Sequence, residues 1–116
     1  MKVIIAGSRY INSIPMFEDA VKGSGFDITE VVSGGCRGVD EMGEEFARAM
    51  GIPCRIFMAQ WKDYGKSAGP MRNHKMASYA DALIAIWDGK SRGTKNMIET
   101  ATKMGLKVFV KLYGVE

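Results

Sequence analysis

Four short segments gather most of the residues able to do chemistry: GSRY (7–10), SGGCRG (33–38), QWKDYGKSAG (60–69) and DGKSRGT (88–94). They carry the cations Arg9, Arg37, Lys62, Lys66, Lys90 and Arg92 against only Asp63 and Asp88, with glycine and serine between them. Glycine lets a ligand approach the backbone, and serine and threonine donate hydrogen bonds. A helix that starts just after such a loop adds unpaired N–H groups and a partial positive charge. The chemistry this suits is capture of an anion, a phosphate above all. The candidate contacts are Gly7, Ser8 and Arg9; then Ser33, Gly34, Gly35, Arg37, Gly38 and Asp40; then Lys66; and finally Ser91, Arg92, Gly93 and Thr94.

Each feature has a plainer use. The glycines of SGGCRG also suit a tight strand-to-helix turn, and Asp40 suits a first helical turn, where the dipole favours a carboxylate. Cys36 sits near a helix start, a setting that suits a reactive thiol, but no His or second Cys stands near it in sequence, so no catalytic residue is assigned. DYGKSAG is not a P-loop, because that pattern needs glycine where Gln60 stands. His74 is alone, so no metal is expected, and no cofactor. Arg72 falls four residues before Met76, which with Ala80 marks the inward stripe of a helix opening at Pro70, so the arginine faces the cleft with Asn73 beside it. Its alternative is an ion pair capping the sheet edge. Trp61 and Tyr64 are placed to stack on a base, to anchor a long loop or to form a homo-oligomer contact.

The elements that must position these loops are legible as periodicity. KVIIA (2–6), EVVS (30–33), CRIFMA (54–59), ALIAIW (82–87) and KVFVKL (107–112) read as strands, several apolar nearly throughout, as when both faces are covered. A helix over 39–50 turns Val39, Met42, Phe46, Ala47 and Met50 inward. Another near 94–104 buries Met97, Ile98, Ala101 and Met104 before Gly105, and a weaker one spans about 15–22. Alternation of strand and helix predicts right-handed crossovers and an α/β Rossmann-like, three-layer open parallel sheet of about five strands with helices on both faces. Strand-to-helix turns then share one sheet edge, where ligands of such folds bind. The 116 residues, 47% hydrophobic and 25% charged, fit a single domain. No apolar run is long enough for a membrane span, no signal-peptide core follows the first residues, and two cysteines do not make a disulfide framework. A cytoplasmic location with thiols reduced and acting as small fillers is expected. A net charge of +3 is compatible with anionic ligands but modest for a dedicated nucleic-acid protein.

GSR, VVSGGCRGVD, YGKSAGPMRNHKM, ADALIAIWDG and SRGTKNMIETA together resemble the YspA-type branch of the SLOG superfamily over nearly the whole chain. The resemblance implies a Rossmann-like sheet and the binding or processing of nucleotide-derived molecules. It extends to the Lonely Guy phosphoribohydrolases, to the DNA-processing protein A family, which binds single-stranded DNA, and to SLOG sensors of ADP-ribose-like signals in antiphage defence. By position, SGG corresponds to a phosphate-binding glycine loop, and Arg72 with Met76 to the hydrolase pattern R-K-x-x-M, in which Asn73 replaces the lysine. Of P-G-G-x-G-T-x-x-E only Gly93 and Thr94 remain; Met97 stands where the catalytic Glu belongs, and Glu99 is two positions late. The expectation is a binding domain for a nucleotide or ADP-ribose-like ligand that senses, carries or sequesters it. A nucleotide hydrolase acting on an N-glycosidic or phosphoester bond is the first alternative, and single-stranded DNA binding the second.

Overall fold

The computed structural model describes residues 1–114. Strand β1 (Lys2–Gly7) leads to α1 (Ile14–Ser24), β2 (Glu30–Ser33) to α2 (Val39–Met50), and β3 (Cys54–Ile56) to a short α3 (Trp61–Tyr64) and, after a 3-10 turn, α4 (Ala68–Tyr79). Strand β4 (Ala82–Trp87), α5 (Arg92–Lys103) and β5 (Lys107–Leu112) complete the chain. All pairings are parallel, in the order β3-β2-β1-β4-β5. This is the Rossmann-like architecture expected.

Position in the sheet explains composition. The central strands β1 and β4 are buried on both faces, which is why VIIA and ALIAI alternate with nothing polar. One face packs Phe17 and Ala20 of α1 and Val39 and Ala47 of α2 on Val3, Ile5, Ile84 and Ile86. The other packs Met76 and Ala77 of α4 and Met97 and Ala101 of α5 on Ile4, Ala6, Leu83 and Ala85. Local chemistry sets several boundaries: Ser13 accepts the Met16 N–H at the start of α1, Pro15 occupies its first turn, and α1 and α2 end on left-handed glycines, Gly25 and Gly51.

Four expectations are corrected. The strand read over 54–59 ends at Ile56, with one further bond from the Phe57 N–H to the Ser33 carbonyl, because this outermost strand has a neighbour on one side only. Helices α4 and α5 begin two residues earlier than read, at Ala68 and Arg92. Met50 and Met104, read as inward, are exposed at helix C-terminal ends that overrun the sheet. Cys54 is not a filler but lies exposed on β3, while Cys36 is half-buried. Among the described residues no helix is long and apolar enough to cross a membrane.

Candidate ligand-binding cleft

The order β3-β2-β1-β4-β5 reverses direction between β1 and β4, so the connections leaving these neighbours part and open a crevice beyond their carboxyl ends. A cleft of about 360 Å³ lies there. Gly7, Ser8 and Arg9 line it from the end of β1, Cys36 and Asp40 from the start of α2, Arg72, Asn73 and Met76 from α4, and Asp88, Lys90, Ser91, Gly93, Thr94 and Met97 from the end of β4 and α5. Nine of the sixteen residues singled out in the sequence therefore meet in one place. Ser33, Gly34 and Gly35 pack behind it, and Arg37 and Gly38 face a separate groove between α1 and α2. Lys66 and Arg92 are exposed and line neither.

The glycines of the 33–38 turn are accounted for by the protein itself. A Cβ on Gly34 would stand 2.9 Å from both Arg72 Nη1 and Asp40 Oδ2. On Gly35 it would meet Met58 and Ile56, and on Gly38 the carbonyl oxygens of Ser8 and Arg9 at 2.5 and 2.6 Å. The Ser8 carbonyl also accepts the Val39 N–H, so the N-terminus of α2 is capped by a neighbouring loop. Arg72 is woven into the same turn: Nη1 donates to the Gly34 carbonyl at 2.8 Å and contacts Cys36 Sγ at 3.7 Å, and Nε donates to Asn73 Oδ1. Asn73 in turn donates to the Gly93 carbonyl and Asn96 Oδ1, tying α4 to the start of α5.

The start of α5 is different. Asp88 Oδ1 accepts the Lys90 and Ser91 N–H groups, which bends the loop into place and holds the Asp88 carboxyl below its usual pKa. The N–H groups of Arg92, Gly93 and Thr94 then point beyond the helix with no acceptor among the described residues, and no side chain caps them. A Cβ on Gly93 would meet nothing. In the same cleft Ser8, only 2% exposed, keeps its Oγ buried without a hydrogen-bond partner; it approaches Asp88 without reaching hydrogen-bond geometry. A buried hydroxyl left unpaired costs about 1–3 kcal/mol unless something visits it.

Asp40 is the residue whose setting the sequence concealed. It is 5% exposed, accepts the Cys36 N–H at 3.2 Å, and is pushed up to about 6 by burial, which outweighs the lowering effects of that N–H and of Arg72. Glu44, one turn on and donated to by the Ser33 hydroxyl, adds like charge.

A second groove, of about 370 Å³, meets the cleft at Arg72 and is lined by Phe57, Met58, Tyr64, Met71 and Lys75 among others. Trp61 lines neither space; its ring packs toward Gly69 at the start of α4. Met97 is buried and lines the cleft with an apolar side chain.

Crevice and topology together define a Rossmann-like fold. DNA processing protein A from Streptococcus pneumoniae shares it, with a TM-score of 0.71 at 22% identity over 94% of this chain and 49% of that one. The chain thus spans about half the length of that structure. It belongs to the family of the Gene 61 protein of Mycobacterium phage D29, to which it is 32% identical over 117 residues, 92% of this chain and 93% of that protein. No family model matches the sequence.

Proposed function

We propose that the cleft binds a nucleotide-derived small ligand, with a phosphate at the start of α5 and the base or second ribose turned across Arg72 toward the Tyr64 groove. The observation that carries this reading is the Ser8 hydroxyl, buried without a hydrogen bond in the cleft that the unpaired N–H groups at the start of α5 also line. A phosphate oxygen satisfies both at once, and the open space over Gly93 lets it come close. Arg9, Arg72 and Lys90 supply the balancing charge against Asp40 and Asp88. The resemblance to YspA-type SLOG domains supports the same ligand class, as does the resemblance to Lonely Guy enzymes. Met97 in place of a carboxylate favours retention over hydrolysis, since methionine neither activates water nor stabilises charge on a ribose.

A thermal-shift screen of nucleotides, ADP-ribose and cyclic derivatives tests this. At a hundredfold excess over Kd a ligand adds about 2.7 kcal/mol to apparent stability, and it should be recovered intact from the denatured complex. Ser8→Ala should weaken that gain while leaving the free protein's stability equal or higher. No stabilisation by any member of the screen would sink the reading. Single-stranded DNA, the alternative that the name of DNA processing protein A keeps in view, would instead show affinity falling steeply with salt.

A further inference from the structure

We propose that the cleft takes its anion together with a proton, which is held on Asp40. The inference rests on the reading of the cleft as an anion site and adds how that site is regulated. Its geometric basis is the placement of a buried carboxyl in the wall of an anion cleft. Asp40 stands in the first turn of α2 at 5% exposure, and Gly34 keeps Arg72 and Asp40 packed over the same backbone position.

The Arg72 guanidinium acts on Asp40 through charge without forming a salt bridge to it. Arg72 Nη1 is bonded to the Gly34 carbonyl and in contact with Cys36, and among the described residues the one ion pair is Arg48 with Glu45 on the surface. The groups facing Asp40 are Glu44 from its own helix, Cys36 from the preceding turn, the backbone of Gly7 from β1, and Arg72 from α4. Across the cleft stand Arg9, Asp88 and Lys90. An anion entering this space adds negative charge close to a carboxyl that burial already resists ionising, so the two charges compete. Protonation removes the conflict. The Cys36 N–H engages Oδ2, and a hydrogen on the carboxyl turns an acceptor in the cleft wall into a donor.

Sulfate is the probe, because it keeps its double charge throughout the range and its own titration cannot mimic the effect. Its Kd is measured by calorimetry from about pH 5 to about pH 8 at ionic strength held constant with chloride. Expected is a nearly constant affinity at the acid end and a loss approaching tenfold per pH unit above about 6. Asp40→Asn should flatten the profile, and His74→Gln, which changes an exposed residue outside the cleft, should leave it intact. Should Asp40→Asn fail to fold, titrations of the unaltered protein in two buffers of different ionisation enthalpy read the proton directly, with close to one taken up per sulfate near neutral pH. Binding of constant affinity, with no proton uptake, would overturn the proton linkage and leave the anion site standing. An absence of sulfate binding at every pH would overturn the anion site itself, and the linkage with it.

Discussion

Gly38→Ala is expected to unfold the protein or bring it to the edge of unfolding. Gly38 has φ 73° and ψ −121°, a region that residues with a Cβ rarely enter, which alone costs about 1–3 kcal/mol. Alanine would also press its methyl against the Ser8 and Arg9 carbonyl oxygens, backbone atoms that cannot swing aside as a side chain would. Together these should remove about 4 kcal/mol or more, a large share of the roughly 5–15 kcal/mol that stabilises a domain. Gly93→Ala is the control. Its methyl enters open space and its φ is not left-handed, so stability should stay within about 1 kcal/mol of the parent or rise. Urea unfolding of the two variants side by side gives the comparison; equal stabilities would show that the 33–38 turn is not packed as described.

The second large effect is a stability that depends on pH through one residue. The Asp40 carboxyl, ordinarily near 3.8, stands at about 6 in the folded protein. A raised pKa means that the folded state prefers the protonated acid. Its contribution is therefore complete below the unfolded value and is lost as pH rises through the folded one. The gap of about two units corresponds to about 3 kcal/mol, lost between about pH 4 and about pH 6. Asp40→Asn keeps the shape and the acceptor for the Cys36 N–H without the charge. Relative to the parent it should be close to neutral near pH 4 and stabilising by up to about 3 kcal/mol at pH 7. Taking the difference between the two proteins at each pH cancels every other carboxyl. An identical difference at both values would mean that Asp40 is not buried in the manner described.

These two residues also mark where the sequence was readable. The central strands announced themselves because β1 and β4 have covered faces and hence unbroken apolar runs, and the helices of the two layers did so through their spacing. The edge was harder: β3 has few partners, so CRIFMA resembled a longer strand than the sheet supports. The four-residue α3 has no period to read. Within the site, its spacing from Met76 brought out Arg72, and the glycine and serine of the loop after β4 brought out Gly93 and Thr94. The glycines of 33–38 could be seen to make room but not for what, since the groups that fill it are distant in sequence: Arg72, 38 residues beyond Gly34, Met58 at Gly35, and the Ser8 and Arg9 carbonyls at Gly38. The burial of Asp40 was hidden for the same reason, and its position in a first helical turn offered a sufficient local explanation. The unpaired Ser8 hydroxyl leaves no trace in sequence at all, because it depends on what the neighbouring loops fail to supply.

An amide-resolved NMR titration of the protein with ADP-ribose or AMP examines the phosphate position most directly. The largest shifts are expected at Ser8, Arg92, Gly93 and Thr94, saturating together, with smaller changes at Cys36 and Asp40 and little change at Ile14 and Glu45 in the groove between α1 and α2. Saturable shifts centred on that α1–α2 groove, or confined to the 33–38 turn while the amides of α5 stay fixed, would contradict it.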